Sequence, residues 1–87
     1  MVGYRLLQTN QIDDAITVFR MNSEAFPHSC NVWDSYADGL TAKGDTTAVK
    51  EMMRKALEVM PLDTLTNEQT KEAIRAHAEQ VLGTAGN

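Results

Sequence analysis

Eighty-seven residues make one domain at most, and a chain of this size buries only about 60 to 65% of the surface its unfolded form exposes. Apolar residues at 43% and charged residues at 23% place it among folding chains and away from the disordered regime. Eight Lys and Arg against twelve Asp and Glu leave a formal charge of -4, which repels phosphate backbones and sets nucleic acid aside as a partner. The single cysteine, Cys30, excludes an internal disulfide and favours a reducing, cytoplasmic compartment. No apolar run approaches the roughly 18 to 20 residues that cross a bilayer, and no basic segment followed by an apolar stretch opens the chain. No membrane partner is expected.

The first predicted element is a short helix from about Val2 to Gln8. A second starts after Asn10, with Asp13 and Asp14 in the first turn, where the helix dipole favours negative charge. Its apolar stripe is Ile12, Ala15, Ile16, Phe19 and Phe26, and it ends before Pro27. A third spans about Asn31 to Lys43, burying Val32, Trp33, Tyr36, Ala37 and Leu40, with Ser29 or Asn31 as N-cap.

The fourth opens at Asp45 after Gly44 and runs to Pro61 with a stripe of Ala48, Val49, Met52, Met53, Ala56, Leu57 and Met60. The methionines at 52, 53 and 60 sit on that stripe, which assigns them to core packing and not to an adaptable groove. The last helix begins at Thr66, where Thr66 and Gln69 have the spacing of a capping box. It runs through Ala73, Ile74, His77, Ala78, Val81 and Leu82 to stop near Gly83. No segment reads as a strand, so the fold class expected is all-α.

Pro27 and Pro61 lie 34 positions apart, and the same shift carries Leu6 onto Leu40, Asn10 onto Gly44, Ala15 onto Val49 and Phe19 onto Met53. A fixed period of this length is the mark of a helical repeat. In that frame the chain resembles the tetratricopeptide repeat (TPR) family. The first copy keeps Gly3, Ala15, Phe19 and Pro27; the second keeps Trp33, Gly44, Ala56 and Pro61, with Ala37 at the close-packing position of Gly3. Asn10, Asn22, Val49 and Met53 depart from the family pattern. The resemblance covers about residues 2–61. It implies an α-α superhelix of two tandem helix-turn-helix repeats, residues 1–27 with a truncated first helix and 28–61, closed by a capping helix over 66–82, all in one domain.

A narrower resemblance is carried by Gly3 to Leu7 and by the run from Ala15 to Asp34, above all by Phe26-Pro27-His28-Ser29-Cys30-Asn31-Val32-Trp33-Asp34-Ser35. It is similar to the tetratricopeptide-type tail behind bacterial serine hydrolases of the β-lactamase-like and esterase kinds. That resemblance implies a fragment, an accessory tail whose catalytic domain lies elsewhere in the polypeptide.

Sites for chemistry are sparse. No Ser-x-x-Lys, Gly-x-Ser-x-Gly, phosphate-cradling Gly loop or His-Glu-x-x-His occurs, so no catalytic residue, cofactor or metal is expected. His28 and Cys30 are a close pair in a turn, and His77 stands alone on its helix. Asp34 and Asp38, one turn apart, read as a helix edge. Lys50, Arg54 and Lys55 alternate with Glu51 and Glu58 as a solvated face.

The family resemblance implies a non-catalytic interaction module whose concave face displays Tyr4, Gln8, Asn31, Asp34, Ser35 and Asp38. That face is acidic and neutral, which favours a basic or polar peptide, or an adjacent domain. Two repeats also leave one end uncovered, which makes homodimerisation through Val2, Tyr4, Leu6 and Leu7 a second expectation.

Overall fold

A computed structural model describes residues 11–83 of the chain. These residues form four α-helices and one 3-10 turn: α1 Ile12–Ala25, α2 Cys30–Lys43, α3 Thr46–Val59, the 3-10 turn Met60–Leu62, and α4 Glu68–Leu82. The protein is all-α, with no strand among the described residues. The predicted helix from Val2 to Gln8, and with it Gly3, Tyr4 and the proposed N-terminal dimer surface, lies outside them.

Local chemistry sets most helix boundaries where the sequence predicts them. Asp13 and Asp14 occupy the first turn of α1, which ends at Ala25 with Phe26 as its C-cap. Gly44 ends α2 in the left-handed region at φ 85°, its N–H donating to Leu40 and Thr41 carbonyls while the Asp45 N–H returns to Leu40. Only glycine adopts that backbone without strain, so the turn into α3 is sharp and compact. Asp45 then caps α3 by accepting from the Ala48 N–H at 3.1 Å. The α-helical part of α3 stops at Val59, before the proline, because Pro61 is accommodated inside the following 3-10 turn.

Two caps differ from expectation. Ser29 is the N-cap residue of α2, as one of the two expected, but its side chain makes no cap bond, and Asn31 lies inside the helix; the Cys30 N–H is bonded instead by Asp63, 33 residues away. No capping box forms at Thr66. Asn67 is the N-cap of α4, accepting from the Thr70 N–H at 2.8 Å, because Thr66 is drawn back onto Asp63.

Packing follows chain order. The central element is α2, which packs on α1, α3 and α4; α3 also packs on α4. Among the described residues α1 has α2 as its sole extensive partner. Asp34 of α2 meets His77 of α4, and Thr41 near the end of α2 shares a cleft with Val81 near the end of α4. These two helices therefore run in the same direction.

Small residues sit where helix backbones approach. Ala15, Ala37 and Ala56 are completely buried, as is Phe19. The contiguous core is built from Cys30, Ala37 and Leu40 of α2, Val49, Met53, Ala56 and Val59 of α3, Met60, and Ile74 and Ala78 of α4. Met52 packs against its edge, in keeping with the core role assigned to the methionines. Trp33 also packs against this core, its indole Nε1–H donating to the Pro27 carbonyl at 2.8 Å.

The predicted stripes miss in three places. Phe26 is 55% exposed because it lies past the end of α1, where the chain turns away from the helix axis. Leu57 is also exposed, at the margin of α3, while Val59, outside the predicted stripe, is buried. Ala73 faces outward on α4.

Candidate interaction surface

The solvent-facing edge of α2 carries the residues singled out from the sequence. Asn31 is exposed, and Asp34 and Asp38 are half-buried. Ser35 is buried, at 2% exposure, so it does not present to a partner and that expectation is corrected. The reason is geometric: α2 is packed by helices on three sides, and the stripe left open is narrower than one helical face. Tyr4 and Gln8 lie outside the described residues.

Asp34 does more than decorate the edge. The His77 ring nitrogen Nδ1 lies 2.7 Å from Asp34 Oδ1, joining α2 to α4 across 43 residues of sequence. Burial pushes the Asp34 carboxyl above its ordinary range despite the bond from His77, and the neighbouring Asp38 carboxylate adds to the push. The edge is thus a place where negative charge is crowded and partly desolvated.

At the end of the molecule where α2 and α4 begin, a polar knot ties the two interhelical segments together. The buried Asp63 carboxylate accepts from the Cys30 N–H at 2.9 Å and the Cys30 thiol at 3.1 Å. It also accepts from the Leu65 and Thr66 N–H groups at 2.8 and 3.0 Å and from the Thr66 hydroxyl at 2.5 Å. Lys71 reaches the Asp63 carbonyl at 2.8 Å. Burial works against ionisation of Asp63, but the Thr66 and Cys30 bonds and the two backbone amides outweigh it and hold the carboxyl well below its ordinary range. Burial, then the bond to Asp63, pushes the Cys30 thiol up to about 11. Cys30 is therefore a neutral structural thiol, not a nucleophile.

Outside this knot lies a cleft of about 250 Å³, walled by Phe26, Pro27 and His28 on one side and Leu62, Thr64 and Leu65 on the other. Phe26, Leu62 and Leu65 are 55%, 59% and 80% exposed. Two other clefts flank α4, one of mainly aliphatic character by Thr41, Val49 and Val81, and one by Leu57, Met60, Lys71 and Arg75. Sequence reasoning did not find the Asp63 knot or the Phe26–Leu65 cleft. The one available signal was Asp63 two residues after Pro61, an arrangement typical of a side chain that organises its own turn.

Among the described residues no group of three or more His, Cys, Asp and Glu side chains gathers as a metal site. No helix among them is long and apolar enough to cross a membrane. Comparison with protein-family models, curated proteins and solved structures returned no match.

Proposed function

We propose that this chain is a non-catalytic interaction module of tetratricopeptide type, which engages a protein or peptide partner, or an adjacent domain of the same polypeptide, along the acidic edge of α2. The observation that carries this reading is the open order of the stack. In a closed four-helix bundle the first and last helices pack on each other, whereas among the described residues α1 packs extensively on α2 alone and α4 on α2 and α3. Helices that stack in sequence without closing leave lateral surface available, the arrangement by which repeat proteins bind.

Three further features support the repeat character. The small residues Ala15, Ala37 and Ala56 are all completely buried, as close helix approach requires. Gly44 turns in the left-handed conformation between α2 and α3. The parallel run of α2 and α4 matches what the first helices of successive repeats do.

The partner's chemistry follows from charge. Asp34 and Asp38, with Asn31 beside them, place two carboxylates and an amide along one edge of α2, Asp34 being bonded to the ring of His77. A basic or polar segment complements this edge, and an acidic one is repelled.

Short synthetic peptides of basic, neutral and acidic composition, titrated into the labelled protein and followed by amide chemical shifts, test the reading. Basic peptides are expected to move the signals of Asn31, Asp34 and Asp38, with affinity falling as salt rises. Stronger binding of the acidic peptides, or shifts confined to other helices, would reject it.

A further inference from the structure

We propose that His77 makes capture of a basic segment along α2 depend on pH: when its imidazole takes up a second proton it offsets the charge of Asp34, and the partner is released. This regulation rests on the reading of that edge as the docking surface, to which it adds the group that controls it.

Asp34 is at once a carboxylate of the docking edge and the partner of a titratable ring, since His77 Nδ1 lies 2.7 Å from its Oδ1. At that distance a hydrogen lies between the two atoms, so the ring donates from Nδ1 and its second proton goes to Nε2. The bond is therefore kept in both states of the ring, and what changes is the charge. With a neutral ring the pair carries one negative charge, and with an imidazolium it carries none. A cation on a peptide meets the carboxylates of Asp34 and Asp38 in the first state; in the second it meets a competing cation already seated on Asp34.

The side chains of His77 and Asp34 are 30% and 18% exposed, open to solvent protons yet buried enough that salt screens their charges incompletely. Burial and the carboxylate of Asp38, one turn along α2, both disfavour the charge on Asp34, and the bond from His77 works the other way. The flank of α4 that faces α3 holds a different set: Glu68, Lys71 and Arg75 line the groove beside Leu57 and Met60. At 3.6 residues per turn, Lys71 and Arg75 stand at least about 120° around α4 from His77. The charged groups facing the ring are thus Asp34 and Asp38 of α2.

The residue type fits a control element. Lysine or arginine at position 77 would offset Asp34 at every pH near neutrality, and asparagine at none. An imidazole, which ordinarily titrates at about 6.5, does so over part of the range between about pH 5 and 8. Linkage makes the effect reciprocal: a cation bound at Asp34 disfavours the imidazolium, so capture of the partner expels a proton.

Calorimetric titration of the whole chain with an end-blocked oligo-arginine peptide, which has no group titrating between about pH 5.5 and 8, tests the proposal. Affinity is expected to fall by about three- to tenfold from the upper pH to the lower, and binding at about pH 6.5 is expected to release protons to the buffer. The step is expected to vanish in His77→Asn, whose amide keeps a donor near the place of Nδ1. It is expected to survive in His28→Gln, which removes the chain's other imidazole. Circular dichroism establishes that both variants retain their helices. Ring nitrogen shifts of the unmutated protein at about pH 6.5 read the same event directly, saturating peptide moving His77 toward its neutral form. Equal affinity at both pH values, a step that persists in His77→Asn, or a ring whose protonation ignores the peptide overturns the proposal and leaves the docking surface standing. Absence of binding at every pH overturns both.

Discussion

Phe19 and Gly39 occupy each other's space: a Cβ added to Gly39 would stand 2.9 Å from Cδ2 of the Phe19 ring and 3.3 Å from Cγ1 of Ile16. The glycine is in the middle of α2, where it weakens the helix by about 1 kcal/mol relative to alanine. The close approach of α1 is what the missing side chain permits.

Two effects oppose each other in Gly39→Ala. Helix propensity favours the alanine by about 1 kcal/mol, while overpacking against a ring that has no exposed surface costs about 1 to 3 kcal/mol. The clash prevails because Phe19 is enclosed, so chemical denaturation is expected to find the variant less stable by about 1 kcal/mol. Phe19→Leu, destabilising alone, is expected to cost less in the Gly39→Ala background. A Gly39→Ala protein more stable than the parent would mean that α1 shifts freely on α2.

Asp63→Ala is expected to be among the most damaging single substitutions away from the apolar core. It orphans the first amide of α2, a buried thiol and the donors of the 64–66 segment, and hydrogen bonds to a charged group contribute about 1.5 to 3 kcal/mol each. We expect a loss of about 3 kcal/mol in urea denaturation, with Asp63→Asn between the two. A loss no larger than that of a surface substitution would show that water replaces the knot without penalty.

The same knot bounds the pH range of stability. The folded Asp63 carboxyl lies below its unfolded value of about 3.9, so its stabilisation is complete above that pH and is lost as the pH falls through the folded value. The Cys30 thiol behaves in the opposite sense: raised from 9.0 to about 11, it stabilises fully below its unfolded value and loses that contribution as the pH climbs through about 11. Thermal melts are expected to be flat in these two groups between those limits. Cys30→Ala is expected to flatten the alkaline limb, and a limb unchanged in that variant would assign it to other groups.

Burial of Cys30 also predicts its reactivity. At 0% exposure and with its thiol neutral at pH 8, it is expected to react with a disulfide reagent at least about tenfold more slowly in the native protein than in denaturant. Equal rates would place the thiol at the surface.

His77→Ala is expected to loosen α4 without unfolding the core. Its bond to Asp34 is half-buried and spans two helices, a setting in which such a contact contributes about 1 kcal/mol. Hydrogen exchange is expected to accelerate along Glu68–Leu82 more than along α1. Uniform acceleration would mean that α4 and the rest of the stack open as one unit. The exposed Lys43–Asp13 pair, 2.9 Å apart, is the counterexample: its removal is expected to leave the melting temperature unchanged.

By itself the sequence determined most helix boundaries among the described residues and which way most of those helices face, because those properties arise within a turn or two of chain. Gly44, Asp45 and the periodic Val49, Met53 and Ala56 act on neighbours three and four residues away, and the fold places them as that spacing requires. What only the tertiary structure decided are relationships across tens of residues. Ser29 is the N-cap residue of α2, but the side chain that bonds the first amide is that of Asp63, because the turn after α3 returns the chain to the start of α2. Ser35 is buried, Phe26 exposed and Asp34 joined to His77 for the same kind of reason: local periodicity assigns a residue to one side of its own helix, and only the packing of the other helices settles which sides stay open to water.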